Sequence, residues 1–394
     1  MNRRTLLGYA AATGAAAILP KLVLADAAID ARFVLVILRG ALDGLAAVPA
    51  LGDPNYAKQR GVLQITERRH LLDGTFALHP SLTHSYELYR RQELIVFHAV
   101  ATPYRERSHF DGQDLLELGT TTAAGQRDGW LNRLLPVLPG ARTHSTEQLA
   151  LALAQNIPLV LRGEARVSSW APSRLPAADS DTLQRIADLY AHDAVLSQRL
   201  EAALTNGKVA MNDAVKGPRD PLSQLTTLST AAGKLLADAK GARIAVIEVG
   251  GWDTHANQGA DIGPLANRLR ALDEALAAFQ TSLGTAWQQT AVLVVTEFGR
   301  TVAVNGTRGT DHGTATCALL AGGAVAGGKV IARWPGLAPR ELYQARDLQP
   351  TLDLRAVFKG LALTHLGASE GDVEQRVFAD SRGIRPIEGL IRRA

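Results

Sequence analysis

The segment "GGWDTHANQ", residues 250–258, sets a carboxylate and an imidazole two residues apart, directly after an apolar run. In extended backbone, residues two apart point the same way, so Asp253 and His255 can hold one ion between them. A third ligand from a distant segment, His312 of "GTDHGT", would complete a two-histidine, one-carboxylate set with an open position. The plainer reading is a surface aspartate beside a histidine bonded to a backbone carbonyl. Asp43 in "RGALDGL" and Glu297 in "EFGR" are hard oxygen donors suited to a second divalent ion. They equally suit a loop aspartate capping the next turn and a glutamate paired with Arg300.

Ser108, in "ERSHFDGQD", has two readings of its own. Ser-x-x-Asp before a helix is a capping-box pattern, in which the hydroxyl satisfies free amides of the first turn. A helix start behind a strand is also where a nucleophile meets an anion, because those amides favour negative charge. His109 and Asp111 are rival groups at the same place. Arg39, Arg105, Arg107 and Arg300 match phosphate or sulfate oxygens bidentately, although two of the four are expected to be ordinary solvated charges.

These residues need strands to carry them. Four apolar runs, "RFVLVIL" (32–38), "LIVFHAV" (94–100), "RIAVIEV" (243–249) and "AVLVVT" (291–296), lack polar alternation and read as strands covered on both faces; "TCALLAGG" (316–323) is a weaker fifth. Helical patterns separate them, notably "GPLANRLRALDEALAAFQTSL" before the fourth run. The alternation predicts an α/β fold, a largely parallel central sheet flanked by helices. A mostly helical stretch over about 173–239 reads as an insertion packed on the sheet or capping its site. Each principal run ends in a polar cluster, and ligands of open α/β sheets bind beyond the carboxyl ends of the strands. Five segments therefore deliver acids, histidines and arginines to one rim.

The first 27 residues read as an export signal. Arg3 and Arg4 are paired, a moderately apolar stretch runs from Leu6 to Leu19, and Ala25-Asp26-Ala27 offers a small-residue cleavage site. The stretch is too short and alanine-rich for a membrane span, and the adjacent arginines favour the twin-arginine route over an ordinary secretory signal. Its removal takes away Arg3, Arg4, Lys21 and Asp26, so net charge falls from +4 to +2, which does not argue for nucleic acid. Cys317 is the only cysteine and lies in an apolar run, so an intramolecular disulfide is excluded and a core role expected. The expected location is periplasmic or otherwise exported, with no stable membrane insertion once the signal is gone and with the twin-arginine machinery as a transient partner.

In order and spacing, "LRGALDGL", "ERSHFDGQD", "GGWDTHANQ", "TEFGRTVAVNGTRGTDHGT" and "GGAVAGGKVIARWPGL" resemble domain-of-unknown-function family 1501 over nearly all of the mature chain. The resemblance implies an alkaline phosphatase-like layered sandwich, the superfamily of phosphatases, sulfatases and cofactor-independent phosphoglycerate mutases. It implies that Asp43 matches the metal-ligand aspartate after the first strand, and Ser108 the nucleophile. It further implies that Asp253, His255 and His312 match one metal set. The second set normally holds an adjacent Asp-His pair, where this chain reads Glu297-Phe298, so His109, Asp111 or Asp311 would have to compensate. No Cys/Ser-x-Pro-x-Arg motif follows the second strand, which argues against a formylglycine sulfatase.

The metal candidates are therefore Asp43, Asp253, His255, Glu297, Asp311 and His312, and the catalytic candidates Ser108, His109 and Arg300. The expected activity is metal-dependent hydrolysis of a phosphate or sulfate ester on an anionic small molecule or glycan. One or two divalent ions, zinc or manganese, would polarise the ester and activate Ser108 or a bound water. The alternatives are a non-catalytic metal-binding envelope or assembly protein on the same scaffold, and mononuclear iron chemistry at a facial triad.

Overall fold

Seven consecutive buried residues, Arg32–Leu38 (β1), run through the middle of the sheet. Val34, Val36 and Leu38 enter the core on one face, and Phe33, Leu35 and Ile37 the core on the other. A strand that is apolar at every position needs such cover on both sides. The computed structural model describes residues 30–67, 70–142, 146–172, 180–197, 200–201, 204, 221–239 and 241–393. The export segment expected over 1–27 lies outside these residues.

The other strands of the main sheet are Leu94–Ala101 (β2), Ala150–Ala152 (β3), Ser168–Ser169 (β4), Ile244–Val249 (β5), Thr290–Val295 (β6), Thr316–Ala321 (β7), Lys329–Ile331 (β8) and Leu352–Asp353 (β9). Their order is β8-β2-β7-β6-β1-β5-β3-β4, with β9 also paired to β2. Every pairing is parallel except those of β7, which runs against both β2 and β6. The sheet is thus largely parallel, and its one reversed strand matters for the site.

The principal helices are Thr83–Arg90 (α1), His109–Leu118 (α2), Ser180–Tyr190 (α3), Pro221–Ala237 (α4), Pro264–Leu283 (α5) and Leu354–Thr364 (α6). Leu225 and Leu228 of α4 and Leu269, Leu272 and Leu276 of α5 fill one core. Val357, Phe358 and Leu361 of α6 fill the other, where Trp130 stacks on Phe358 with centroids 4.6 Å apart. These two layers of helix on a central sheet make the layered α/β sandwich. Of the helical stretch over 173–239, α4 lies in the sheet-packing layer, while 173–179 and 205–220 fall outside the described residues.

Register explains the rim. Leu38 pairs with Val249 and Ile37 with Val295, so β1, β5 and β6 end level with one another. Val100, near the end of β2, pairs with Thr316, the first residue of the reversed β7. Four strand ends and one strand start therefore share an edge. Arg39, Ser108, Asp253 and Glu297 follow strands, whereas His312 precedes one.

Candidate metal centre

Asp253 stands at the middle of the polar group on this rim. Its Oδ1 lies 3.0 Å from His255 Nε2 and 3.4 Å from His312 Nε2, and its Oδ2 lies 3.5 Å from His109 Nε2. His255 Nε2 and His312 Nε2 are 3.0 Å apart. Ligand atoms of His109, Asp253 and His312 all fall within 4.8 Å of one another. Four side chains from three separate loops thus converge.

Close approach of those loops depends on glycine. Gly40 has φ +118, and a Cβ there would sit 2.6 Å from the Asp253 nitrogen. Gly309 lies so close to the His255 backbone that a Cβ would meet its carbonyl carbon at 2.3 Å. Neither contact admits a side chain.

The opposite nitrogen of each imidazole is committed. His109 Nδ1 donates to Glu297 Oε1 at 2.7 Å, His312 Nδ1 to the Arg107 carbonyl at 2.9 Å, and His255 Nδ1 to Asp311 Oδ1 at 3.3 Å. A carbonyl or an ionised carboxylate can only accept, so Nδ1 of His109 and of His312 carries a proton and each of those rings, when neutral, presents an Nε2 lone pair, while His255 stands between Asp311 on Nδ1 and Asp253 on Nε2. His109 Nε2 is shut away from solvent and makes no hydrogen bond. Imidazole nitrogens of His109, His255 and His312 gathered around one carboxylate suit a divalent cation.

Local charge is balanced around the group. The Glu297 hydrogen bond holds the His109 pKa above its ordinary value against the effect of burial. Burial pushes the His312 pKa down. For Asp253, burial pushes the pKa up, but the hydrogen bond and charge of Arg300 outweigh it and leave the carboxyl below its usual range. Glu297 behaves likewise: burial raises its pKa, and donors led by His109 bring it below the ordinary value. Phe298 forms an apolar wall, its ring 5.0 Å from that of His109 and 5.4 Å from that of His312.

Several expected residues are employed differently. Asp43 is buried, and its Oδ1 caps a short turn by accepting from Leu45 and Ala46 amides. Its Oδ2 accepts from Arg60 and, at 2.7 Å, from Gln258. Internal donors thus reach both oxygens, and the turn-capping role that the sequence also suggests for Asp43 is the one seen here. Glu297 is fully buried and accepts from His109, Gly40 and Gln113 on Oε1 and from Thr296 on Oε2. Three of these four donors crowd Oε1. Asp311 is half-exposed and orients His255 together with the Asn305 amide, 3.0 Å away.

The arginines are also spent. The buried Arg300 bonds Asp253 and both oxygens of Thr310 and is directed to these rather than to Glu297. Arg39 bridges Gln113, Glu117 and Glu248, and Arg105 bonds the Thr102 and Tyr104 carbonyls. Arg107 bonds Asp347 at 2.8 Å and Gln344 at 2.6 Å. Its φ of +65 is uncommon for a residue with a side chain, and the same residue's carbonyl fixes His312.

Ser108 occupies the N-cap position of α2, but its side chain makes no capping bond. Its amide donates to the Tyr104 hydroxyl at 2.9 Å, and that hydroxyl lies 3.3 Å from Asp111 Oδ2. Both chain neighbours of Ser108 touch the cluster, Arg107 through its carbonyl and His109 through its ring. Arg60, Gln258 and Asn305 are not legible in the sequence as site residues. Only the "NGTRGTDHG" context, rich in turn-forming residues, hints at Asn305.

No curated protein matches the chain. Among solved structures, Ps i-CgsB in complex with k-i-k-neocarrahexaose aligns at 10% identity over 90% of this chain and 75% of that one, with a TM-score of 0.43. A phosphonate monoester hydrolase of Agrobacterium radiobacter aligns at 12% identity over 86% and 74%, TM-score 0.34. The C-terminal periplasmic domain of EcEptC from Escherichia coli, in complex with Zn, aligns at 9% identity over 74% and 73%, TM-score 0.36. The sequence profile described as protein of unknown function (DUF1501) matches residues 30–378, and the chain belongs to that family.

Proposed function

We propose that this chain is an exported metal-dependent hydrolase of phosphate or sulfate esters, built on an alkaline phosphatase-like scaffold. The observation that carries the reading is the convergence of three Nε2 atoms on Asp253, with every opposite nitrogen tied to an acceptor. Asp253, His255, His312 and His109 would hold the ion. A divalent ion there would act as a Lewis acid on an ester oxygen.

The chain's own groups supply the rest. The Ser108 hydroxyl is uncommitted to capping and sits between two residues of the cluster, which suits a nucleophile. The free amides that open α2 favour an anionic substrate beside it. Arg300 keeps Asp253 ionised and oriented, and does not itself reach for the anion. Export rests on the sequence of residues 1–27 alone.

One observation favours a second reading, a non-catalytic metal-binding protein of the envelope. Asp43 and Glu297, the acids available for a second ion, are engaged by internal donors, at both oxygens of Asp43 and chiefly at Oε1 of Glu297. Elemental analysis of protein exported in its native host, followed by a screen of phosphate mono- and diesters and sulfate esters, separates the two. Bound metal with ester turnover supports the hydrolase; bound metal without turnover on any ester supports the binding protein; and absence of metal defeats both.

A further inference from the structure

We infer that the centre is mononuclear, with His109 as a ligand and Glu297 as a positioning residue that acts through it; this rests on the metal reading above. The position after β6 holds a carboxylate, which by type could itself bind metal. Its surroundings forbid that. Glu297 is 0% exposed, and its two oxygens accept from the His109 ring, the Gly40 amide, the Gln113 amide and the Thr296 hydroxyl at 2.7, 2.8, 3.1 and 2.8 Å. An ion on Oε1, the oxygen turned to His109, would have to displace three buried donors, each left unsatisfied at a cost.

What Glu297 does instead is set the His109 tautomer. With Nδ1–H bound to the carboxylate, Nε2 faces Asp253 as a lone pair. The carboxylate is itself fixed, because Gln113 also bonds Arg39, and Arg39 is anchored on Glu117 and Glu248. The chain from Arg39 to His109 is therefore one connected network, and a rigid support of this kind raises ligand precision.

Stoichiometry follows from the count of donors. Asp253 gives Oδ1 to the His255 and His312 side and Oδ2 to the His109 side. Two ions would stand roughly 3.5–4 Å apart and each need its own ligands. Of the remaining acids, Asp43 is closed by Arg60, Gln258 and two amides, and Asp311 turns its Oδ1 to the far nitrogen of His255 and to Asn305. One ion uses all four converging side chains.

The test titrates the metal-free mature protein with cobalt, zinc and manganese separately, alongside Glu297→Gln. One ion per chain is expected in both proteins. The variant should bind about 10- to 100-fold more weakly, with the cobalt absorption band keeping its position and intensity because no ligand has been lost. Two ions in the unmutated protein, an ion lost outright in the variant, or unchanged affinity would overturn the inference. Nitrogen-15 spectra of the zinc-loaded unmutated protein check the same point without relying on the variant's folding. They should show His109 protonated at Nδ1 and metal-bound at Nε2, and binding at Nδ1, or none at His109, overturns it. An unmutated protein that takes up none of the three metals sinks the wider metal reading with it. One ion bound but no ester cleaved leaves the inference standing and defeats only the hydrolase.

Discussion

His255 Nε2 lies 3.0 Å from His312 Nε2, each on a ring whose other nitrogen already donates to an acceptor. Two neutral rings so committed would bring lone pair against lone pair, which is unfavourable without positive charge between them. The pair could therefore take a divalent cation, and Asp253 Oδ1 stands 3.0 and 3.4 Å from its two nitrogens.

Replacing His312 by alanine should then remove a direct ligand while leaving the sheet intact. Metal affinity is expected to fall by more than about 100-fold, beyond the range typical of outer-shell substitutions. His255→Ala should behave similarly, whereas Asp311→Asn, which touches only the far side of His255, should weaken binding about 10-fold. Isothermal titration with zinc orders the three variants, and equal losses in all of them would contradict the division into ligands and supports.

Asp43 and Arg60 provide the contrasting case. Their side chains are 2% and 0% exposed, and the guanidinium also donates to the Val302 carbonyl at 3.0 Å. Arg60→Met leaves a buried carboxylate without its cation, which costs on the order of 3–5 kcal/mol. The melting temperature should drop markedly, while zinc affinity of the folded fraction stays within about 3-fold, because Asp43 spends its oxygens on internal donors. Denaturant titration and metal titration of this variant give the answer, and lost metal with retained stability would restore Asp43 to the centre.

Much of this arrangement is legible in the amino-acid sequence. The apolar runs at 32–38, 94–100, 243–249 and 291–296 match β1, β2, β5 and β6, because a strand buried on both faces leaves a continuous apolar record. The Asp-x-His spacing and the distant His312 are legible for the same reason, since residue type and local direction carry them. The cap that Asp43 makes is legible too, whereas the further donors to Asp43 and those to Glu297 are not. Whether a carboxylate is free depends on how many donors reach it, and those come from far along the chain, Gln258 to Asp43 and Gly40 to Glu297. The reversal of β7 is equally hidden, as an apolar run carries no sign of its direction.

A pH effect follows from His98, which is fully buried in β2. Its Nε2 donates to the Val48 carbonyl at 2.9 Å and its Nδ1 accepts from the Ala99 amide at 2.8 Å, so the neutral ring is completely satisfied. Burial lowers its pKa to about 4 from 6.5. As pH falls, the unfolded chain takes up the proton first, so the stability tied to this group is complete above pH 6.5 and is lost progressively as pH falls toward 4. The loss is on the order of a few kcal/mol. Buried His365 shifts in the same direction for the same reason and adds to it. Urea unfolding across that window should show stability rising with pH, with a shallower slope in His98→Gln. An unchanged slope would mean that other groups dominate acid unfolding.

Ser108→Ala isolates the reacting group from the scaffold. Had the hydroxyl capped α2, its loss would cost about 0.5–2 kcal/mol, but the side chain makes no capping bond, so little change in melting temperature is expected. The amide that holds Ser108 on the Tyr104 hydroxyl survives the substitution, and so do the His109 ring after it and the Arg107 carbonyl before it, which fixes His312. Zinc affinity should therefore match that of the unmutated protein. If Ser108 is the nucleophile, ester turnover should fall by several orders of magnitude with the centre still loaded. Stability, metal content and turnover are measured on one preparation, so that each outcome has one meaning. Full turnover in the variant rules out Ser108 and passes the attack to a solvent molecule. A lower melting temperature with full turnover returns the residue to the capping role suggested by "SHFD". Loss of turnover together with loss of metal would show that the residue before His109 supports the ligand, and the nucleophile would then have to be sought elsewhere on the rim.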